Sequence, residues 1–353
     1  MFSDRFLWEV FSLQCERDPL HLDIHGRFPI SEATHPVSVP IVSSRLNELG
    51  WKPTYPKGAP YAVVVSHDID FIYHKDQEIG PRELIISTLK NVLRADLKKI
   101  RHEYNRLNTK AVNRWPVEKL MHYFQSKDIP TTYYFMCLDP SDQDYNYDIE
   151  MLKPLITQIL DAGNEVGLHG GHTAYKSASD FIQQLSRLKK VTELEKVGYR
   201  NHYLKFNLDS FEIMREAGIS TDSTLGFADI VGFRNGMAHP FRPYNCRENS
   251  FYDFVEIPLI MMDQTLYKYM NLSQNDLRKV SNQIIDRVSE VSGTLSLLWH
   301  NTTFQGEKVQ DLDYMIERMR DDGAWFCTPN ELVEWYEKND LFSTQMEYLQ
   351  KLR

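Results

Sequence analysis

Tyr61-Ala-Val-Val-Val-Ser-His-Asp-Ile-Asp70 decides the fold. An uninterrupted Ala-Val-Val-Val run of this length reads as a strand buried on both faces, the kind found in a parallel sheet covered by helices. The run ends in two carboxylates two positions apart. Side chains alternate along a strand, so Asp68 and Asp70 project to the same side, about 7 Å apart along the chain. The C-terminal end of a buried parallel strand is where barrels and open α/β sheets keep their chemistry. His67 points the opposite way from the two acids and reads as structural.

Outward from this strand the pattern alternates. Helical periodicity is expected over 117–125, 149–162, 178–196, 208–217, 277–291, 312–319 and 329–338. Strands are expected over 131–137, 165–169, 198–203, 219–222, 254–259, 294–300 and 324–327. Such repetition means an α/β fold with a parallel sheet wrapped by helices, and seven or eight units favour a closed barrel over an open sheet. Residues 1–60, with a short amphipathic pattern at Phe6, Leu7, Val10 and Phe11 and then a proline-containing stretch (Pro19, Pro29, Pro36 and Pro40), read as an accessory segment packed on the main domain. The barrel is expected to fill 61–340, and 341–353 to form a C-terminal tail helix. Between the first two strands, Ile86, Leu89, Leu93, Leu97 and Ile100 form the apolar stripe of a helical insertion. Its opposite face, over 82–114, is basic. That face suits an anionic glycan or peripheral contact with a membrane surface, although such faces are more often merely solvated.

Composition narrows the function. The chain has 353 residues, 42% of them hydrophobic, enough for a large core. A net charge of −9 argues against nucleic acid, whose binding needs a phosphate-neutralising surface. Cys15, Cys137, Cys246 and Cys327 form no CxxC pair, as expected of reduced thiols in a cytoplasmic protein. No stretch has the roughly 18 apolar residues of a membrane helix, and the first residues lack the apolar core of a signal peptide, so a cytoplasmic location is expected.

Four strand ends carry polar residues suited to catalysis: Asp68 and Asp70; His169 and His172 in Val166-Gly-Leu-His-Gly-Gly-His172; Arg200 in Tyr199-Arg-Asn-His-Tyr203; and His300 in Leu297-Leu-Trp-His300. Imidazole and carboxylate suit zinc, and three protein ligands plus water is the usual catalytic arrangement. A metal lowers the pKa of water and polarises a carbonyl, an acid deprotonates that water, and a remaining histidine serves as general acid.

These motifs, in this order, resemble the polysaccharide deacetylases of the NodB-homology, carbohydrate esterase type, over roughly residues 61–335. The resemblance implies a distorted (β/α)7 barrel. It implies Asp68 as base, Asp70 as metal ligand, His169 and His172 as metal histidines, Arg200 as the holder of the base and His300 as general acid. One spacing departs from the family pattern. The second metal histidine should follow the first by four, where Thr173 stands, whereas His172 follows by three. Gly170 and Gly171 would let the backbone bring His172 round; otherwise a water, His202 or His300 fills the third place. Asp222 stands where the family's fourth motif would supply an Asp that orients the acid histidine. Tyr203, Asp222, Phe241 and Tyr244 are the candidate substrate-binding residues. The expected activity is metal-dependent removal of an acetyl group from an N-acetylated sugar of a glycan or glycan precursor, with zinc as cofactor. The alternatives are hydrolysis of another amide or ester, or a carbohydrate-binding protein that has lost its metal.

Overall fold

The computed structural model describes residues 2–17, 19–72 and 117–353. The expected insertion and its basic face over 82–114 lie outside the described residues. Strands in chain order are β1 (Ala62–Ile69), β2 (Thr132–Met136), β3 (Glu165–Gly170), β4 (Gly198–Asn201), β5 (Thr221–Asp222), β6 (Tyr244–Asn245), β7 (Ser250–Phe251), β8 (Val255–Glu256), β9 (Met261–Met262), β10 (Thr294–Leu298) and β11 (Trp325–Phe326). All eight residues of β1 are buried, as a strand covered on both faces requires.

The main sheet runs β8-β5-β4-β3-β2-β1-β10-β9 and every pairing is parallel. Carbonyls alternate between the two edges of a strand, and β1 uses one edge twice. The carbonyls of Tyr61 and Val63 accept from Trp325 and Cys327, placing β11 beside the start of β1, while Ser66 to Ile69 pair with β2. The stretch from β8 to β9 closes the ring. Ile257 N–H donates to Asp222 O at one edge of the sheet, Ile260 N–H donates to Ser296 O at the other, and β9 then pairs with β10. The result is a distorted (β/α) barrel of seven main strand positions, one of them filled by two short strands in succession. The strand expected over 254–259 is therefore broken at Pro258, a residue without the N–H that a ladder needs.

Local chemistry sets the helix boundaries. Ser177, Ser273 and Thr328 cap the helices Ala178–Thr192, Gln274–Glu290 and Pro329–Lys338, the last with a full capping box to Glu331 and proline in its first turn. Gly218, left-handed at φ 68°, ends the helix Ser210–Ala217. Each of these helices buries an apolar face. Leu7, Trp8, Val10 and Phe11 near the N-terminus join the same apolar cluster as the strands, as do Leu349 and Leu352 at the other end of the chain.

Candidate active site

Alternation along β1 sends Ser66, Asp68 and Asp70 into the barrel mouth and His67 outward. His67 packs between the rings of Phe124 and Tyr133, with its Nδ1 2.8 Å from Trp299 O, and burial draws its pKa down to about 4. The register His169↔Arg200 between β3 and β4 brings the next two polar residues to the same end.

Asp68 and Arg200 form a buried pair. Arg200 Nη1 donates to Asp68 Oδ1 at 2.9 Å and to Ser66 Oγ at 2.8 Å; Nη2 and Nε donate to Ser223 Oγ and Ser223 O, both at 2.9 Å. The guanidinium also lies over the Tyr134 ring, 4.6 Å from its centroid. It is held from every side, so one oxygen of Asp68 is fixed and Oδ2 is left facing His169 at 3.6 Å.

Asp70, His169 and His202 converge, with one donor atom from each lying within 4.8 Å of the others. His169 Nε2 is 3.0 Å and His202 Nδ1 3.5 Å from Asp70 Oδ1, and the two nitrogens are 3.2 Å apart. His169 Nδ1 lies 3.0 Å from the carbonyl of Arg200, which accepts its proton and turns the Nε2 lone pair to the centre. His202 Nε2 faces Asp144 at 3.9 Å, so its Nδ1 likewise points inward. Asp70 Oδ1 is buried and accepts no well-aligned hydrogen bond. Burial pushes the Asp70 pKa up, but His202, His169 and His300 outweigh it and hold the carboxyl well below its ordinary range. Burial pulls His169 down, yet Asp68 and Asp70 together raise it. Two lone pairs and an orphaned carboxylate oxygen aimed at one point, in a field that favours positive charge, fit a divalent cation with nitrogen and oxygen ligands.

The third histidine differs from the expectation. His172 is 35% exposed and its Nε2 sits 2.7 Å from Lys205 Nζ, outside the cluster. Gly170 and Gly171 do not turn the chain, since neither has a positive φ. They are glycines for space: a Cβ on Gly170 would strike the Tyr199 ring, and one on Gly171 would lie 2.5 Å from Leu138 Cδ2. His202 takes the third place instead. It lies two residues after Arg200 with extended backbone at Asn201 between them, so it faces the same side, and the left-handed Tyr203 and Leu204, at φ 60° and 53°, turn the chain just beyond it.

His300, just beyond β10, has its Nδ1 2.6 Å from Asp263 Oδ1, and its N–H donates to Asp263 Oδ2 at 2.9 Å. Its Nε2 faces Asp70 Oδ2 at 3.7 Å. Burial pulls the imidazole down, but Asp263 outweighs burial, with help from Asp70 and Asp68, and the pKa rises to about 10. Asp222 does not orient this histidine. It is fully buried, bonded to Thr224 and paired with Glu256, which burial and the neighbouring Asp222 push well above the ordinary carboxyl range. Asp263 follows the apolar run Ile-Pro-Leu-Ile-Met-Met, the same signature that marks Asp68, and ending the expected strand at 259 hid it.

Asp68, Asp70, His202, Tyr203 and His300 line a cavity of about 220 Å³, with Arg27, Met262, Lys268 and Tyr269 on its walls. Phe241 and Tyr244 are not among its lining residues. Phe241 packs edge-on against Phe11 at 5.2 Å, and Tyr244 packs edge-on against Trp8 at 4.7 Å. Arg27, which comes from the N-terminal segment, carries no signal in the sequence.

No family model matches the chain, and no curated protein matches it. Solved structures do. A Mycobacterium smegmatis protein assigned to the polysaccharide deacetylases superposes with a TM-score of 0.56 at 17% identity, covering 82% of this chain and 95% of that one. A family 4 carbohydrate esterase of Streptomyces lividans, solved with acetate, matches at a TM-score of 0.37 and 11% identity over 76% of this chain and 92% of its own. A Bordetella bronchiseptica protein assigned to polysaccharide deacetylation in O-antigen biosynthesis matches at 0.36 and 13%, over 80% and 86%. The chain therefore has the fold of the NodB-homology polysaccharide deacetylases.

Proposed function

We propose that this chain is a metal-dependent hydrolase that removes the acetyl group of an N-acetylated sugar in a glycan or glycan precursor. The observation that carries the reading is the convergence of Asp70, His169 and His202 between two preset proton-handling pairs, Asp68–Arg200 and His300–Asp263. Asp70, His169 and His202 hold the cation, and the two-imidazole, one-carboxylate set favours zinc. A divalent ion there lowers the pKa of water and stabilises negative charge on the acetyl oxygen.

The chain's own residues do the proton work. Asp68 Oδ2 is the free acceptor, because Oδ1 is tied to Arg200, and it takes the proton of the attacking water. Arg200 keeps that carboxylate in place. His300 keeps Nδ1 on Asp263 and presents Nε2–H to the leaving amine; a pKa of about 10 keeps it charged before the amine departs. Tyr203 forms part of the wall against which the sugar lies. The four thiols are free, in keeping with a cytoplasmic precursor as substrate.

The test is acetate release from a panel of N-acetylated sugars before and after chelation. Activity should vanish with the metal and return with zinc. Full activity in the stripped protein would overturn the reading.

A further inference from the structure

Besides Asp68 and Asp70, the cavity is lined by two cationic side chains that the proposed chemistry does not use. Arg27 and Lys268 both line it and flank a single ring: Arg27 Cζ lies 5.4 Å and Lys268 Nζ 5.5 Å from the centroid of Tyr269. Arg27, its side chain only 7% exposed, is fixed by Asp23 at 2.6 Å, by Tyr203 O at 3.2 Å and by Tyr269 Oη at 3.3 Å. These contacts use three of its five N–H donors and leave one on each terminal nitrogen. Among the described residues Lys268 has no carboxylate partner. Lys205, also buried, meets the imidazole of His172 and the ring of Tyr175, and has no carboxylate in salt-bridge contact among the described residues. Burial, Lys176 and Arg27 hold the Lys205 pKa below its ordinary value, and burial followed by Arg27 does the same for His25, which stacks on Tyr203. Asp23 and Asp144 offset part of this charge at Lys205, while Asp68, on the same cavity, is taken up by Arg200. Like charges crowded beside a cavity in a chain of net charge −9 are a local cost that an anion would relieve.

We infer that the sugar acted on carries an anionic group, a phosphate or a carboxylate, which Arg27 and Lys268 receive while the acetyl group lies at Asp70 and His300. This rests on the deacetylase reading for the place of the acetyl group. It also gives the N-terminal segment a part in the site, since Arg27 belongs to it.

The experiment is calorimetric titration of the zinc-loaded protein with three probes: N-acetylglucosamine 1-phosphate, N-acetylmuramic acid and the uncharged methyl glycoside of N-acetylglucosamine. A charge-assisted hydrogen bond makes one charged probe bind roughly tenfold or more tighter than the neutral one. Which of the two gains separates phosphate from carboxylate. Lys268→Gln and Arg27→Gln should each erase most of that margin, and Arg27→Lys should keep part of it, which distinguishes charge from scaffolding. Inorganic phosphate serves as the control, because an anion bound only at the zinc is held equally by wild type and Lys268→Gln. Equal affinity for charged and neutral probes, or a margin untouched by either glutamine variant, overturns the inference. Acetate release is read in parallel. If no probe yields acetate while the margin stands, the deacetylase reading fails and the anion site remains.

Discussion

Asp263→Asn removes the charge that sets His300 without emptying its place. In the native structure Asp263 Oδ1 lies 2.6 Å from His300 Nδ1 and accepts the Gln264 N–H, also at 2.6 Å, while Oδ2 accepts the His300 N–H. An asparagine oxygen can keep the contacts of Oδ1, but its amide nitrogen then meets the His300 N–H donor to donor. The charged hydrogen bond is worth roughly 1.5–3 kcal/mol, or about 1–2 pH units. His300 stands at about 10 because Asp263, with Asp70 and Asp68, outweighs burial. Its pKa should therefore fall by about 1–2 units in the variant. The direct assay is a proton NMR titration of the His300 ring in the metal-free protein. The alkaline limb of the rate profile of the zinc form should move down by a similar interval. The sign for stability follows. A pKa raised on folding contributes stability that is complete below the ordinary histidine value and is lost as pH rises through about 10. The stability gap between wild type and variant should thus narrow at high pH. An unmoved His300 titration in a folded variant would refute the assignment of Asp263 as the group that charges it.

Three other changes probe separate parts of the site. Asp68→Asn should retain zinc and lose roughly 10²–10⁴ in turnover, the usual worth of a positioned base, measured as acetate release; wild-type turnover would remove Asp68 from proton transfer. Gly170→Ala drives a methyl group into the buried Tyr199 ring, whose hydroxyl is tied to Asn201 at 2.5 Å, and should cost about 1–3 kcal/mol in urea unfolding. Glu256→Gln replaces a carboxyl whose pKa is raised far above the ordinary 4.5 by burial and by Asp222. Wild type should lose stability as pH climbs above that value, and the loss between pH 5 and 8 in thermal melts should be smaller in the glutamine variant, which keeps only the slopes of other groups such as His300 and Glu165.

The barrel and half of the site are legible in the sequence because both follow from local pattern. The Ala-Val-Val-Val run fixes a doubly covered strand, and alternation then settles which way Asp68, Asp70 and His67 face. Arg200, His169 and His300 sit at strand ends that periodicity locates to within a residue or two. His202 is different. It lies just past the end of β4, before the left-handed turn at Tyr203 and Leu204, and the signal that places it inward is alternation from Arg200, two residues earlier. The glycines at 170 and 171 mislead, since they answer to the Tyr199 ring and to Leu138, neighbours that only packing reveals. Asp263 was hidden by a strand split at Pro258 between two partners. Asp222 looked apt by position and is instead locked against Glu256 in the interior. Phe241 and Tyr244 read as substrate-binding residues, but they pack against Phe11 and Trp8 near the N-terminus.

The central claim is that Asp70, His169 and His202 form the cation site, and zinc titration of wild type, His202→Ala and His172→Ala tests it most directly. Wild type should bind about one ion per chain, His202→Ala should lose affinity by at least tenfold, in keeping with the loss of a direct ligand, and His172→Ala should stay close to wild type. Strong loss in His172→Ala with unchanged binding in His202→Ala would contradict the account.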